Sequence, residues 1–139
     1  MLVEDNPADV GMFRFALEQI GAEVNLIVLR DGKEAMDYLS GQTHSEEFNR
    51  RTFVVLDLNV PKANGFEVLA FIRADEKLKG LRVVVMSGSS DASEAQHCYA
   101  AGADAYFGKP TDLDDIVATA ARIVEFANNQ TAVSERIQE

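Results

Sequence analysis

The chain is poor in several features, and each shortage excludes a class of protein. Its 139 residues include one cysteine, Cys98, which excludes an internal disulfide framework and a zinc site built from several cysteines. No apolar run approaches the roughly 20 residues that span a bilayer. The start becomes acidic at Glu4 and Asp5, unlike a signal peptide. We therefore expect a soluble, cytoplasmic protein in a reducing compartment.

Basic residues are also scarce. The 13 Lys and Arg residues against 23 Asp and Glu residues give a formal net charge of −10. This balance disfavours direct binding to nucleic acid, which depends on basic contacts to phosphate, and adsorption to anionic lipid. Because a typical domain has roughly 100–200 residues, the length predicts a single domain.

Apolar runs bounded by turn residues alternate with segments of helical periodicity. Strands are predicted at 1–3, 24–29, 53–56, 83–86 and 105–107, and helices at about 7–20, 35–41, 65–72, 92–99 and 112–126. This alternation predicts a parallel sheet with helices on both faces, and right-handed crossovers favour a doubly wound sheet of five strands. Residues 42–51 lack periodicity and are predicted to form a surface loop.

Polar residues follow four of the predicted strands. Glu4 and Asp5 follow the first, Asp57 the third and Ser87 the fourth, while Lys109 comes soon after the fifth. Ligands of such sheets bind outside the carboxyl ends of the strands, so we expect these side chains to meet at one edge. Crowded carboxylates repel one another, and a hard divalent cation would relieve that repulsion.

Mg²⁺ is the cation that this set of oxygens favours. Asp5, Asp57 and the backbone carbonyl of Asn59 would form part of an octahedral site, with Glu4 bound directly or through water. Each residue alone is ordinary turn or cap chemistry. The specific feature is their order along the chain, each after its own strand.

A lysine and a hydroxyl beside such a metal suit a phosphoryl group. Lys109 would spread its negative charge, and Ser87 would donate a hydrogen bond. Asp57 then becomes the candidate nucleophile, as carboxylates are in aspartyl-phosphate chemistry.

Several motifs carry a family resemblance, in the order Leu2-Val3-Glu4-Asp5-Asn6, Val55-Leu56-Asp57-Leu58-Asn59-Val60-Pro61, Gly65, Val85-Met86-Ser87-Gly88, Gly102-Ala103 and Lys109-Pro110. Together they resemble the receiver domains of response regulators in two-component signalling. The resemblance covers about residues 1–126 and leaves 127–139 as a C-terminal tail. It implies a flavodoxin-like (βα)5 fold with strand order 2-1-3-4-5.

By motif position, the resemblance also implies a role for each site residue. Asp57 would be the phosphoacceptor, and Mg²⁺ would be bound by Glu4, Asp5, Asp57 and the Asn59 carbonyl. Ser87 would be the conserved hydroxyl and Lys109 the conserved lysine, and Ser87 and Tyr106 would be the switch residues. The phosphate would come from a phosphohistidine on a sensor histidine kinase or a histidine phosphotransfer protein. The signal would pass by a conformational switch to a protein partner, with no output domain. Such a domain is not an enzyme, since it assists only its own phosphorylation and dephosphorylation. A cis peptide bond before Pro110 is implied as well.

More narrowly, the segments 4–9, 30–36 and 57–62 resemble the small receivers that partner bacterial phytochromes, which suggests a phytochrome-type kinase. Only three residues precede Glu4, fewer than the family usually has. We therefore expect a weakened sheet, or a start upstream of Met1. The tail at 127–139 is expected either to fray, which we favour, or to extend the last helix and join two protomers in a homodimer.

Three other functions remain open. A phosphohydrolase with an aspartyl nucleophile usually needs a second Asp two residues later, where this chain has Asn59. A flavin-binding module would need a Ser/Thr-rich phosphate loop after the first strand, where Glu4 and Asp5 would repel a flavin phosphate. A degenerate receiver that only binds partners is disfavoured by the intact set of site residues.

Overall fold

The alternation of strands and helices is present in the structure, a computed structural model that describes residues 1–41, 46–89 and 91–138. The strands in these residues are β1 (Leu2–Val3), β2 (Val28–Leu29), β3 (Phe53–Leu56), β4 (Arg82–Ser87) and β5 (Ala105–Gly108). The helices are α1 (Pro7–Gln19), α2 (Gly32–Ser40), α3 (Glu46–Arg51), α4 (Gly65–Ala74), α5 (Ala92–Ala100) and α6 (Leu113–Gln138).

The strands pair in the order β2-β1-β3-β4-β5, and every pairing is parallel. This is the flavodoxin-like topology expected from the sequence. Successive residues of β4 alternate between the two faces of the sheet. Val83 and Val85 belong to the core shared with α2, α4 and α5, and Val84 and Met86 to the core shared with α1 and α6. Both faces are covered, as the unbroken apolar runs predicted.

Capping side chains begin the helices that follow the strands, and so fix the edge where the strands end. The Asn6 side chain accepts a hydrogen bond from Ala8 N at 2.9 Å and begins α1. Asp31 accepts one from Glu34 N at 2.7 Å and begins α2. Asn64 begins α4 with a full capping box. Each cap satisfies amide groups that a helix start otherwise leaves unpaired.

The amino end of the chain lies inside the sheet. The Met1 ammonium donates a hydrogen bond to Phe53 O at 3.0 Å, and burial lowers its pKa to about 6. Beside it, a cavity of about 350 Å³ is lined by 24–27 and by Phe53, among other residues. β1 itself has two residues, Leu2 and Val3, and the expected weakening of the sheet stays a prediction.

Three predictions about elements are wrong. The second strand was expected over 24–29, yet only Val28–Leu29 pairs, because β1 has just two residues with which to pair. The predicted loop contains helix α3, where Arg51 and Glu47 form an i,i+4 ion pair at 3.0 Å. Residues 42–45, including His44, lie outside the described residues.

The third correction concerns the last helix, which was expected to end at Phe126. Instead α6 continues to Gln138, so the favoured frayed tail is wrong for 127–138. The physical reason is visible in the sequence, since no Gly or Pro interrupts the chain between Phe126 and Gln138.

Candidate functional site

The ends of β1 and β3 bring three carboxylates together. Glu4 and Asp5 follow β1, Asp57 follows β3, and one oxygen of each lies within 4.8 Å of the others. Glu4 is 1% exposed and Asp57 5% exposed, whereas Asp5 is open to solvent. The predicted convergence of these three residues at the carboxyl edge of the sheet is present in the structure.

Lys109, just past the end of β5, reaches into this carboxylate cluster. Its Nζ lies 2.7 Å from Glu4 Oε1, 3.0 Å from Asp57 Oδ2 and 3.0 Å from Asp9 Oδ2. Burial lowers the pKa of Lys109, but its contacts with Glu4, Asp57 and Asp9 outweigh burial and raise the pKa above its usual value. The lysine is therefore held as a cation among carboxylates.

Glu4 is the most strongly perturbed acid of the cluster. Burial raises its pKa, Lys109 partly offsets that effect, and Asp57 raises the pKa as a second negative group, so that the net value is about 7. A protonated or counter-charged Glu4 is thus favoured in the folded protein.

We expect the contribution of Glu4 to the stability of the metal-free protein to fall as the pH rises from 4.5 towards 7. The pKa of Glu4 is higher in the folded state than its ordinary value of 4.5, so the folded state binds this proton more tightly. The contribution of Glu4 to the free energy of unfolding is complete below pH 4.5 and is lost by about pH 7. The change is roughly 3 kcal/mol. The Met1 amine, whose pKa is lowered to about 6, contributes little slope below about pH 5 and a slope of the opposite sign above it.

Urea unfolding at several pH values, with a chelator present, measures this dependence. The variant Glu4→Gln is the control and should have a flatter profile between pH 4.5 and 6. An equal slope in both proteins would show that Glu4 is not its source.

The carboxylate cluster fits a hard divalent cation. Glu4 Oε1 is buried, and Lys109 Nζ lies 2.7 Å from it. Three carboxylates so close together form an oxygen-rich, anionic set of the kind that Mg²⁺, Mn²⁺ and Ca²⁺ prefer. Asn59, proposed to add a backbone carbonyl, is close by, and its amide donates to Asp57 Oδ1 at 3.1 Å.

Ser87 ends β4 at the same edge, but its hydroxyl does not donate to Asp57. It is fully buried and donates to Glu94 Oε1 at 2.5 Å. The Tyr106 hydroxyl, from β5, lies 2.9 Å from the same Glu94 oxygen and 2.9 Å from Ser89 O. Burial raises the pKa of Tyr106. The structure therefore joins the two predicted switch residues through a third residue, Glu94.

Asp9 and Glu94 are the site residues that sequence reasoning missed. Asp9 lies in the first turn of α1, where an acid is also expected simply because of the helix dipole. Glu94 stands three residues after the N-cap Asp91, a spacing typical of a capping box, which would turn it towards the backbone. Both had an ordinary helical explanation, and only the fold shows that they face the site.

Glycine is required where the loops of the site approach one another. A Cβ on Gly65 would lie 2.7 Å from Asp57 O and 2.6 Å from Leu58 Cα. A Cβ on Gly32 would lie 1.8 Å from Ala63 O. These contacts fix the loop that carries Asp57.

The implied cis bond before Pro110 is wrong, since the described residues contain no cis peptide bond.

Comparison with known proteins assigns the family. The chain matches the response regulator receiver domain over residues 1–121. It is 36% identical over 116 residues to the response regulator Rcp1 of Synechocystis, covering 84% of this chain and 79% of Rcp1. It is 35% identical over 126 residues to a probable methanogenesis regulatory protein, FilR2, of Methanothrix harundinacea, covering 91% of this chain and 81% of FilR2.

Solved structures agree. The phosphorylated cyanobacterial phytochrome response regulator RcpA superposes with a TM-score of 0.80 at 36% identity, covering 93% of this chain and 92% of RcpA. The Mn²⁺-bound form of Rcp1 gives a TM-score of 0.75 at 35% identity, covering 90% of each chain. The chain belongs to the receiver-domain family of two-component response regulators, whose members are generally signalling domains that bind a divalent metal rather than enzymes.

Among the described residues, no helix is both long and apolar enough to cross a bilayer.

Proposed function

We propose that this receiver accepts a phosphoryl group on Asp57 from a phosphohistidine, with Mg²⁺ bound by Glu4, Asp5, Asp57 and the Asn59 carbonyl. The observation that carries the proposal is the placement of Lys109 Nζ, 2.7 Å from Glu4 and 3.0 Å from Asp57. A fixed cation beside a buried carboxylate is the arrangement that phosphoryl transfer needs, because charge develops on the phosphoryl oxygens.

In the transfer step, a carboxylate oxygen of Asp57 forms the bond to phosphorus as the phosphorus–nitrogen bond of the phosphohistidine breaks. The imidazole leaves and takes up a proton. Lys109 donates hydrogen bonds to the phosphoryl oxygens, and the amide of Asn59 keeps Asp57 oriented. When bound, Mg²⁺ supplies further positive charge against the phosphoryl oxygens.

Phosphorylation replaces the single negative charge of the Asp57 carboxylate with a phosphoryl group that carries roughly −1.5 to −2 charges. Ser87 then donates its hydroxyl to a phosphoryl oxygen, and Tyr106 turns into the space that Ser87 leaves. The face formed by α5, β5 and α6 changes shape, and this face contacts a downstream protein partner. Couplings of this kind are worth about 1–3 kcal/mol, enough to change a partner's affinity 5–150-fold.

The relatives indicate the kind of phosphodonor. Rcp1 is a response regulator, and RcpA is a phytochrome response regulator. We therefore propose a phytochrome-type sensor histidine kinase, or a histidine phosphotransfer protein, as the donor in the cytoplasm.

Residues 1–126 form the receiver. Residues 127–138 extend α6, and the tail at 127–139 is the part proposed to join two protomers.

Incubation with acetyl phosphate and Mg²⁺, followed by intact-mass measurement, tests the proposal. We expect the mass of one phosphate to be gained, because a small acyl phosphate can replace the phosphohistidine. The gain should vanish when a chelator removes Mg²⁺, and also in Asp57→Asn. A folded wild-type protein that binds Mg²⁺ but gains no phosphate would contradict the proposed function.

A further inference from the structure

Glu94, in the first turn of α5, connects two strands of the proposed switch through one oxygen atom. Its Oε1 accepts a hydrogen bond from Ser87 at the end of β4, at 2.5 Å, and lies 2.9 Å from the Tyr106 hydroxyl of β5. Ser87 is fully buried, and Glu94 is partly buried. A buried hydroxyl facing a carboxylate in this way forms a strong, charge-assisted hydrogen bond.

The number of protons decides what the two hydroxyls can do. The Ser87 hydroxyl has one proton and donates it to Glu94, while its oxygen accepts from Ser89 N at 3.2 Å. It can donate to a phosphoryl group on Asp57 only after it leaves Glu94. The Tyr106 hydroxyl also has one proton, and its two acceptors are Glu94 Oε1 and Ser89 O.

We propose that Glu94 is a positioning residue that holds Ser87 and Tyr106 in the unphosphorylated arrangement. This inference rests on the proposed function, because it concerns the same hydroxyl. Glu94 competes with the phosphoryl oxygens for the Ser87 proton, and so lowers the affinity of the site for a phosphoryl group. Since the same oxygen faces Tyr106, the departure of Ser87 also changes the hydrogen bonding of the phenol.

Trifluoroberyllate with Mg²⁺, a non-covalent mimic of the phosphoryl group, gives a direct test on the full chain by calorimetric titration. We expect Glu94→Ala to bind the mimic about tenfold more tightly, equivalent to about 1.4 kcal/mol. Glu94→Gln should give a smaller gain, because its neutral amide oxygen still accepts. Gln96→Ala, an exposed change on the same helix, is the control and should leave the affinity unchanged.

Two further measurements separate positioning from a general structural effect. In a Ser87→Ala background, Glu94→Ala should change the affinity by less than about twofold, because the competing hydroxyl is gone. The NMR signals of the Tyr106 ring in free Glu94→Ala should shift towards those of the mimic-bound wild type.

Unchanged or weaker binding in both Glu94 variants would overturn this role, and so would an equal gain in the Ser87→Ala background. If Glu94→Ala does not fold, the same comparison is made with Glu94→Gln. Its affinity for the mimic is then measured alone and in the Ser87→Ala background. Failure of the wild type to bind the mimic would overturn the proposed function together with this role. If the wild type binds the mimic and the Glu94 variants bind it with the same affinity, this role alone is overturned.

Discussion

Replacing Lys109 by Ala is expected to destabilise the metal-free protein by about 3 kcal/mol, because it leaves buried carboxylates without their cation. The side chains of Glu4 and Asp57 are 2% and 7% exposed, so solvent cannot replace Lys109 effectively. The expected loss lies at the lower end of the range usual for a broken buried ion pair, because the side chains of Lys109 and Asp9 are 21% and 34% exposed. Urea unfolding in the presence of a chelator measures the loss.

Saturating Mg²⁺ should restore most of that stability and should bind the variant more tightly than the wild type, since Lys109 no longer competes for the same carboxylates. Phosphorylation should still fall, because alanine supplies no cation to the phosphoryl oxygens. Lys77, an exposed lysine in the connection between α4 and β4, provides the matched control Lys77→Ala. An equal loss of stability with and without Mg²⁺ would contradict this account of the cluster.

Replacing Asp57 by Asn is expected to abolish phosphorylation and to weaken Mg²⁺ binding by roughly 10–100-fold, because the site loses one of three anionic ligands. The pKa of Glu4 should fall towards its ordinary value, since Asp57 is one of the groups that raise it. Titration with Mg²⁺ and NMR titration of the Glu4 carboxyl measure the two effects.

The exposed acid Asp37, on α2, provides the control for this change. Asp37→Asn alters the net charge by the same amount and should leave both Mg²⁺ affinity and phosphorylation unchanged. Equal Mg²⁺ affinity in Asp57→Asn and wild type would remove Asp57 from the metal site and would leave the carboxylate cluster without its proposed role.

Much of the site could be predicted because strand ends are easy to recognise. The unbroken apolar runs before Asp57 and Ser87 mark buried parallel strands, and parallel strands place their carboxyl ends at one edge. Once the sheet order is known, Glu4, Asp5 and Lys109 must come to the same edge. Cys98 is likewise found in the core, as its position in an apolar helical stripe predicted.

The remainder depends on contacts between elements distant in the sequence. The length of β2 depends on how much of β1 is available for pairing, which the apolar run at 24–29 does not reveal. The roles of Asp9 and Glu94 depend on side-chain direction in the first turn of two helices, where acids also occur for capping and dipole reasons. The direction of the Ser87 hydroxyl depends on Glu94 in turn.

Asp57 itself is expected to carry the phosphoryl group, and chemical trapping identifies the residue that carries it. Borohydride reduces an aspartyl phosphate to homoserine and releases the phosphate. After treatment with acetyl phosphate and Mg²⁺, we predict that peptide mapping finds homoserine at position 57 and that omission of Mg²⁺ abolishes it. Homoserine at position 5 or 9, or none in a protein that gained phosphate, would contradict the account.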